Sequence, residues 1–162
     1  MARAEVIRPF VEEAVSRYLG IARDQLRVMD DGTIPIRAGS TAVSVRLVDG
    51  EDDHPVLQVY AAVLHDVTLT PELLGKLNEI NTGLTFARAF FAEGQLIIAM
   101  ELLAEEVDEQ QIEHACGLVS WAGDRWDGEL RSAFGGETFF RDDAPGPSVE
   151  EPESDRPLPG YI

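Results

Sequence analysis

The stretch from Thr70 to Gly136 restricts the possible folds of this chain more than any other part of it. Thr70-Pro71-Glu72 opens a helix. The threonine hydroxyl can accept from the first free amides, proline loses nothing by lacking an N–H there, and the acid faces the positive helix end. Leu73, Leu77, Ile80 and Leu84 follow at helical spacing as a buried stripe, with Thr82-Gly83 near its end. Two apolar runs, Thr85 to Ala92 and Gln95 to Leu103, flank Glu93-Gly94, a two-residue hairpin turn. Asp108 and Gln111 form a capping box for a last helix, and Val107 is placed to staple onto Ile112. The stripe of that helix is Ile112, Ala115, Cys116, Val119, Ala122, Trp126, Leu130 and Phe134, and Gly135-Gly136 ends it.

The preceding residues supply a helix and a meander. Ile7, Phe10, Val11, Ala14, Val15, Tyr18 and Leu19 make one apolar stripe over about Ala4 to Leu19, and Pro9 moves the expected start toward Arg8. Leu26 to Met29, Thr33 to Arg37, Thr41 to Val48 and Pro55 to Val67 read as three or four strands. Their connections are too short for crossover helices, so the strands run antiparallel. Val43, Val45 and Leu47 share one strand face, with Ser44 and Arg46 on the other. Pro55 to Val67 is apolar on both faces, as a central strand is. The expected fold class is therefore α+β in the order α-β-β-β-α-β-β-α, an antiparallel sheet of about five strands with three helices. The domain spans 1–136. Residues 137–162 carry five of the nine prolines and an acidic excess, and read as a disordered tail in which Phe139-Phe140 or Tyr161-Ile162 could dock.

A net charge of -17 (13 basic against 30 acidic residues) repels phosphate backbones and anionic lipid surfaces, so no nucleic-acid and no membrane role is expected. One cysteine allows no internal disulfide, the N-terminal residues are broken by charge rather than forming a leader, and no apolar run is long enough to span a bilayer. These features point to a cytoplasmic protein. A single lysine, Lys76, among arginines suggests a GC-rich bacterial genome.

The side chains that carry chemistry do not assemble into a site. His114 and Cys116 are two apart on a helix and point in different directions, His54 precedes a proline in a loop, and His65 lies late in a strand beside Asp66. Cys116 sits in an apolar stripe, where it acts as a small hydrophobe. The acidic clusters Asp30-Asp31, Glu51-Asp52-Asp53 and Glu105-Glu106 are explained by turn chemistry, and the glycines form no phosphate loop. The expectation is therefore no catalytic, metal or cofactor-binding residues. Asn78 and Asn81 share a helix face, where an amide could satisfy carbonyls or strand ends.

Two surfaces suit a partner instead. Phe86, Arg88 and Phe90 lie on one face of their expected strand, and the other face carries Ala87, Ala89 and Phe91, so the strand needs two covers. Leu118, Trp121 and Arg125 form a second stripe on the last helix with the composition of an interface hot spot.

The order of elements and several motifs resemble the YbjN family, whose fold is that of the type III secretion chaperones. The matching landmarks are Asp30-Asp31-Gly32, Pro71-Glu72-Leu73-Leu74 leading into Leu77-Asn78-Glu79-Ile80-Asn81, and Phe86-Ala87-Arg88-Ala89-Phe90. Gly94-Gln95-Leu96-Ile97-Ile98 and Asp124-Arg125-Trp126-Asp127-Gly128-Glu129-Leu130 through Phe134-Gly135-Gly136 match as well. The resemblance covers about residues 4–136 and implies a non-enzymatic domain, commonly dimeric, that holds an extended segment of a client protein or peptide. It carries over no individual site residue.

The expected function is thus a chaperone-like adaptor, a homodimer that uses the two surfaces above. One alternative is a regulator of sensory transduction or stress response whose tail blocks its own groove. Another is an enzyme in which His65 and Asp66 face a cleft.

Overall fold

A computed structural model of the protein describes residues 3–140. Its five-stranded sheet has the order β1-β2-β3-β5-β4, with β1 Ile34–Ala38, β2 Thr41–Asp49, β3 Pro55–Leu64, β4 Arg88–Ala92 and β5 Gln95–Leu103. Every pairing is antiparallel. β3 is the central strand, as its apolar character on both faces requires. The helices are α1 Arg3–Leu19, α2 Pro71–Gly83 and α3 Glu109–Phe134. The class and element order match the expectation.

Alternation along the strands decides which face meets the helices. Leu57, Val59, Ala61 and Val63 of β3 and Val43, Val45 and Leu47 of β2 join Val11, Ala14 and Val15 of α1, Leu73, Leu77 and Ile80 of α2, and Ile112, Val119 and Leu130 of α3 in one core. The intervening residues Tyr60, Ala62, Ser44 and Arg46 lie on the opposite face.

The caps form as their chemistry dictates. Thr70 Oγ1 accepts from the Leu73 amide at 3.1 Å. The Asp108 carboxylate accepts from the Gln111 amide at 2.8 Å, and Gln111 Oε1 accepts from the Asp108 amide at 2.9 Å. α3 lies close to β2 because residue 123 is glycine: a Cβ there would stand 2.9 Å from Thr41 Cγ2.

Four expectations are corrected. Pro9 lies inside α1, which begins at Arg3 rather than near Arg8. Its first turns are held from outside by the Arg3–Glu105 ion pair at 2.9 Å and by Arg8 Nη1 donating to Gly32 O at 3.1 Å. Phe10 falls at the edge of the α1 stripe and is 43% exposed. Leu26–Met29 forms no strand. The Met29 amide donates to Thr33 O, a local turn in place of a ladder. β4 starts at Arg88 rather than Thr85, because Phe86 takes φ +67° and breaks the extended run.

The packed chain continues past Gly136. Glu137 and His65 exchange backbone hydrogen bonds of 2.9 Å, and Phe139 and Phe140 are buried over Ala42 and Ala62. Gly136 makes this return possible: its φ is +85°, and a Cβ there would stand 2.7 Å from His65 O. The expected tail from Arg141 onward, with Tyr161-Ile162, lies outside the described residues.

Candidate functional site

α2 and the edge strand β4 build the most distinctive surface from a single side chain. Asn81 projects from the last turn of α2. Its Nδ2 donates to Ala89 O at 2.9 Å, and its Oδ1 accepts from the Ala89 amide at 2.7 Å. One asparagine thus bonds β4 as a residue of a neighbouring strand would. Residues two apart on a strand turn their backbone groups the same way, so the N–H and C=O of Phe91 share this outer edge. Beside them runs a trough of about 320 Å³ lined by Leu69, Leu74, Leu77, Asn78, Phe90 and Phe91 together with Asn81 and Ala89. Leu69 is 48% and Leu74 52% exposed, large apolar side chains flanking a strand edge. The sequence pointed to amide capping by Asn78 and Asn81; the strand that Asn81 would bond was not specified.

The six residues expected to meet a partner fall in three places. Phe86 sits at the corner between α2 and β4, exposed, and lines a second trough of about 290 Å³ with Met100, Leu102, Gln111 and His114. Arg88 and Phe90 lie on the sheet face away from the main core. The Arg88 guanidinium stacks 5.1 Å above the Phe90 ring and pairs with Glu101 at 3.1 Å. Phe90 packs on Tyr60, Ile97 and Ala99. The expected common face of Phe86, Arg88 and Phe90 is therefore split, because the positive φ of Phe86 precedes the strand. On α3, Leu118 packs against the core while Trp121 is exposed. The Arg125 guanidinium lies 4.5 Å from the Trp126 ring, so its stacking partner is the core-facing tryptophan rather than Trp121.

The titratable groups have local explanations. Cys116 is buried, and its thiol is pushed up to about 12 by desolvation. His54 Nδ1 meets Glu105 at 2.8 Å; that hydrogen bond raises the histidine and lowers the carboxyl relative to their ordinary values. Asp31 is lowered by the Thr33 amide it accepts from, a turn interaction as expected of the acidic pairs. His65 is buried. Its Nδ1 contacts Asp66 at 2.9 Å and its ring meets the edge of Phe139 with centroids 4.8 Å apart, so it faces an aromatic ring. Glu137 brings a third ligand-type atom, all within 4.8 Å of one another. Asp66 and Glu137 are exposed, where acidic groups are common without an ion, and the sequence did not bring Glu137 to His65 because it read as tail. No helix among the described residues is long and apolar enough to cross a membrane.

Comparison with known proteins follows the same lines. The structure superposes on a chain of the ExsC–ExsE complex with a TM-score of 0.61 at 16% identity, covering 80% of this chain and 97% of that one. It also superposes on a chain of the HopA1–SchA chaperone–effector complex with a TM-score of 0.54 at 17% identity, covering 79% and 98%. At such identities the likeness is one of fold. No curated protein matches the sequence. Residues 5–142 match the family model TY-Chap1, described as T3SS (YopN, CesT) and YbjN peptide-binding chaperone 1. A match across that much of the sequence makes the chain a member of this family of peptide-binding chaperones.

Proposed function

We propose that this protein is a non-enzymatic, cytoplasmic chaperone that holds an extended segment of a client protein along the α2–β4 edge, and that it works as a homodimer. The observation that carries the reading is the edge itself. Asn81 fills the edge at Ala89, the Phe91 backbone groups face outward past it, and Leu69 and Leu74 stand exposed beside them. A segment laid there would gain backbone pairing at Phe91 and apolar contacts in the trough, the two terms that make strand addition both stable and selective. Family membership supports the reading, and so do two neighbours that come from a complex or a chaperone–effector complex. The exposed Trp121 offers a separate apolar patch for the second copy.

The test is selection from a random peptide library on the full-length protein, followed by affinity measurements on the peptides obtained. Peptides with alternating apolar residues should be enriched, and Leu74→Asp should weaken them at least about tenfold, the size of one lost hot-spot contact. Peptides that bind Leu74→Asp as well as the parent would contradict the edge as the site. Light scattering at micromolar concentration tests the dimer: a monomer there, unchanged by Trp121→Ala, removes it.

A further inference from the structure

Two asparagines project from α2 along the trough, and only one of them is engaged within the fold. Asn81 commits both halves of its amide to Ala89. Asn78 lines the same trough with Leu74 and Phe91, is exposed, and makes no hydrogen bond among the described residues. At about 100° per residue the two stand roughly 60° apart around the helix axis. Asn81 borders the buried stripe of Leu73, Leu77 and Ile80, and Asn78 lies further around the helix from it. Asn78 therefore presents a second amide, one turn before the first and further from the core.

We propose that Asn78 reads the client backbone: its amide bonds the outer edge of the segment held at Phe91, as Asn81 bonds the outer edge of β4 at Ala89. This role rests on the chaperone reading of the α2–β4 edge. Every pairing in the sheet is antiparallel. An antiparallel segment lets one client residue exchange both backbone bonds with Phe91, and the residues on either side of it turn their N–H and C=O away from β4. α2 flanks that outer side, since Asn81 reaches the β4 edge from it. Asn78 brings an N–H donor and a carbonyl acceptor together, the pair that a backbone residue presents. The same register places the side chains. The client residue opposite Phe91 turns its side chain to the sheet face of the Phe91 ring, which packs toward the main core, and so enters the trough beside Leu74 and Leu77. The next residue, bonded by Asn78, turns its side chain toward the Phe90 face. The client class that fits is an extended segment with an apolar residue at the first of these positions and proline at neither, because both bond through their N–H.

The test uses a peptide selected from a random library on the full-length protein and resynthesised with single backbone esters. Each ester replaces one N–H by oxygen and leaves the side chains unchanged. On the parent protein two neighbouring esters should weaken binding, one opposite Phe91 and one opposite Asn78. Asn78→Ala should weaken the unmodified peptide about three- to tenfold, the size of one or two backbone hydrogen bonds. On that variant the ester opposite Asn78 should have no further effect, while the ester opposite Phe91 keeps its own. The urea midpoint of Asn78→Ala should match the parent's, because Asn78 holds nothing within the fold. An ester scan that is the same on the parent and on Asn78→Ala overturns the role of Asn78, as does unchanged affinity for the unmodified peptide. Leu74→Asp tells the two claims apart. Peptides that it weakens but that Asn78→Ala leaves alone refute the role of Asn78 and keep the edge. Peptides indifferent to Leu74→Asp refute the edge and the role of Asn78 together.

Discussion

The two faces of the sheet come from the same five strands and differ in what meets them. On one side Leu57, Val59, Ala61 and Val63 interlock with apolar stripes from three helices. On the other, Tyr60, Ile97 and Ala99 share the surface with Ser44, Arg46 and Gln58. A face packed by helices can be uniformly apolar because its cover is built into the same compact core. The contrast teaches that burial alone does not describe a sheet face: the helix-covered one is apolar throughout, and the other pairs polar side chains such as Arg46 with Gln58 and Arg88 with Glu101.

The comparison breaks most clearly under truncation. Leu57→Ala should cost about 2–5 kcal/mol in urea unfolding of the full chain, as deletion of a fully buried leucine does. Ile97→Ala should cost nearly as much if its face is covered. A cost under about 1 kcal/mol would mean that face is open to water. Gly123→Val tests the helix face by overpacking. It forces two methyls toward Thr41, where even a Cβ already approaches to 2.9 Å, and should cost about 1–3 kcal/mol by the same assay. Asn81→Ala tests the edge. Removing both bonds to Ala89 should cost about 1–2 kcal/mol. It also leaves the β4 edge open to further pairing, so concentration-dependent association should rise in sedimentation.

The smallest effect concerns the pair His54–Glu105, on the surface and remote from both faces. The histidine is raised above its ordinary 6.5, so its stabilisation is complete below 6.5 and is lost as pH rises through its folded value. The carboxyl is lowered below its ordinary 4.5, so its contribution is present above 4.5 and is lost as pH falls through its folded value. Both act together between 4.5 and 6.5. His54→Ala should lower stability within that window and remove the pair's pH dependence on either side of it, above 6.5 and below 4.5, and an NMR titration should place the histidine above 6.5.

How much of this was legible in the sequence depended on how local the cause was. The caps at Thr70 and Asp108, the Glu93-Gly94 hairpin and the α3 stripe were readable because each is determined within a few residues. Core membership of β2 followed from alternation, and the central place of β3 from its apolar character on both faces. Phe86 was misplaced because its apolar run continues smoothly into β4 in the sequence; only the path from α2 to the sheet edge demands its positive φ. Phe10 matched a helical spacing that was too permissive at the margin of the stripe. The partner of Asn81 and the meeting of His65 with Glu137 arise from chain paths that bring distant segments together, and no local pattern encodes them.

Client binding depends above all on the α2–β4 edge receiving an extended segment. An NMR titration of the isotope-labelled full chain with a library-selected peptide tests that most directly. The predicted result is saturable shifts at the Leu69 and Leu74 methyls, the Asn81 side-chain amide and the Phe91 backbone amide, with Trp121 unmoved. Shifts confined to Leu118 and Trp121, with the Asn81 amide unchanged at saturation, would contradict it.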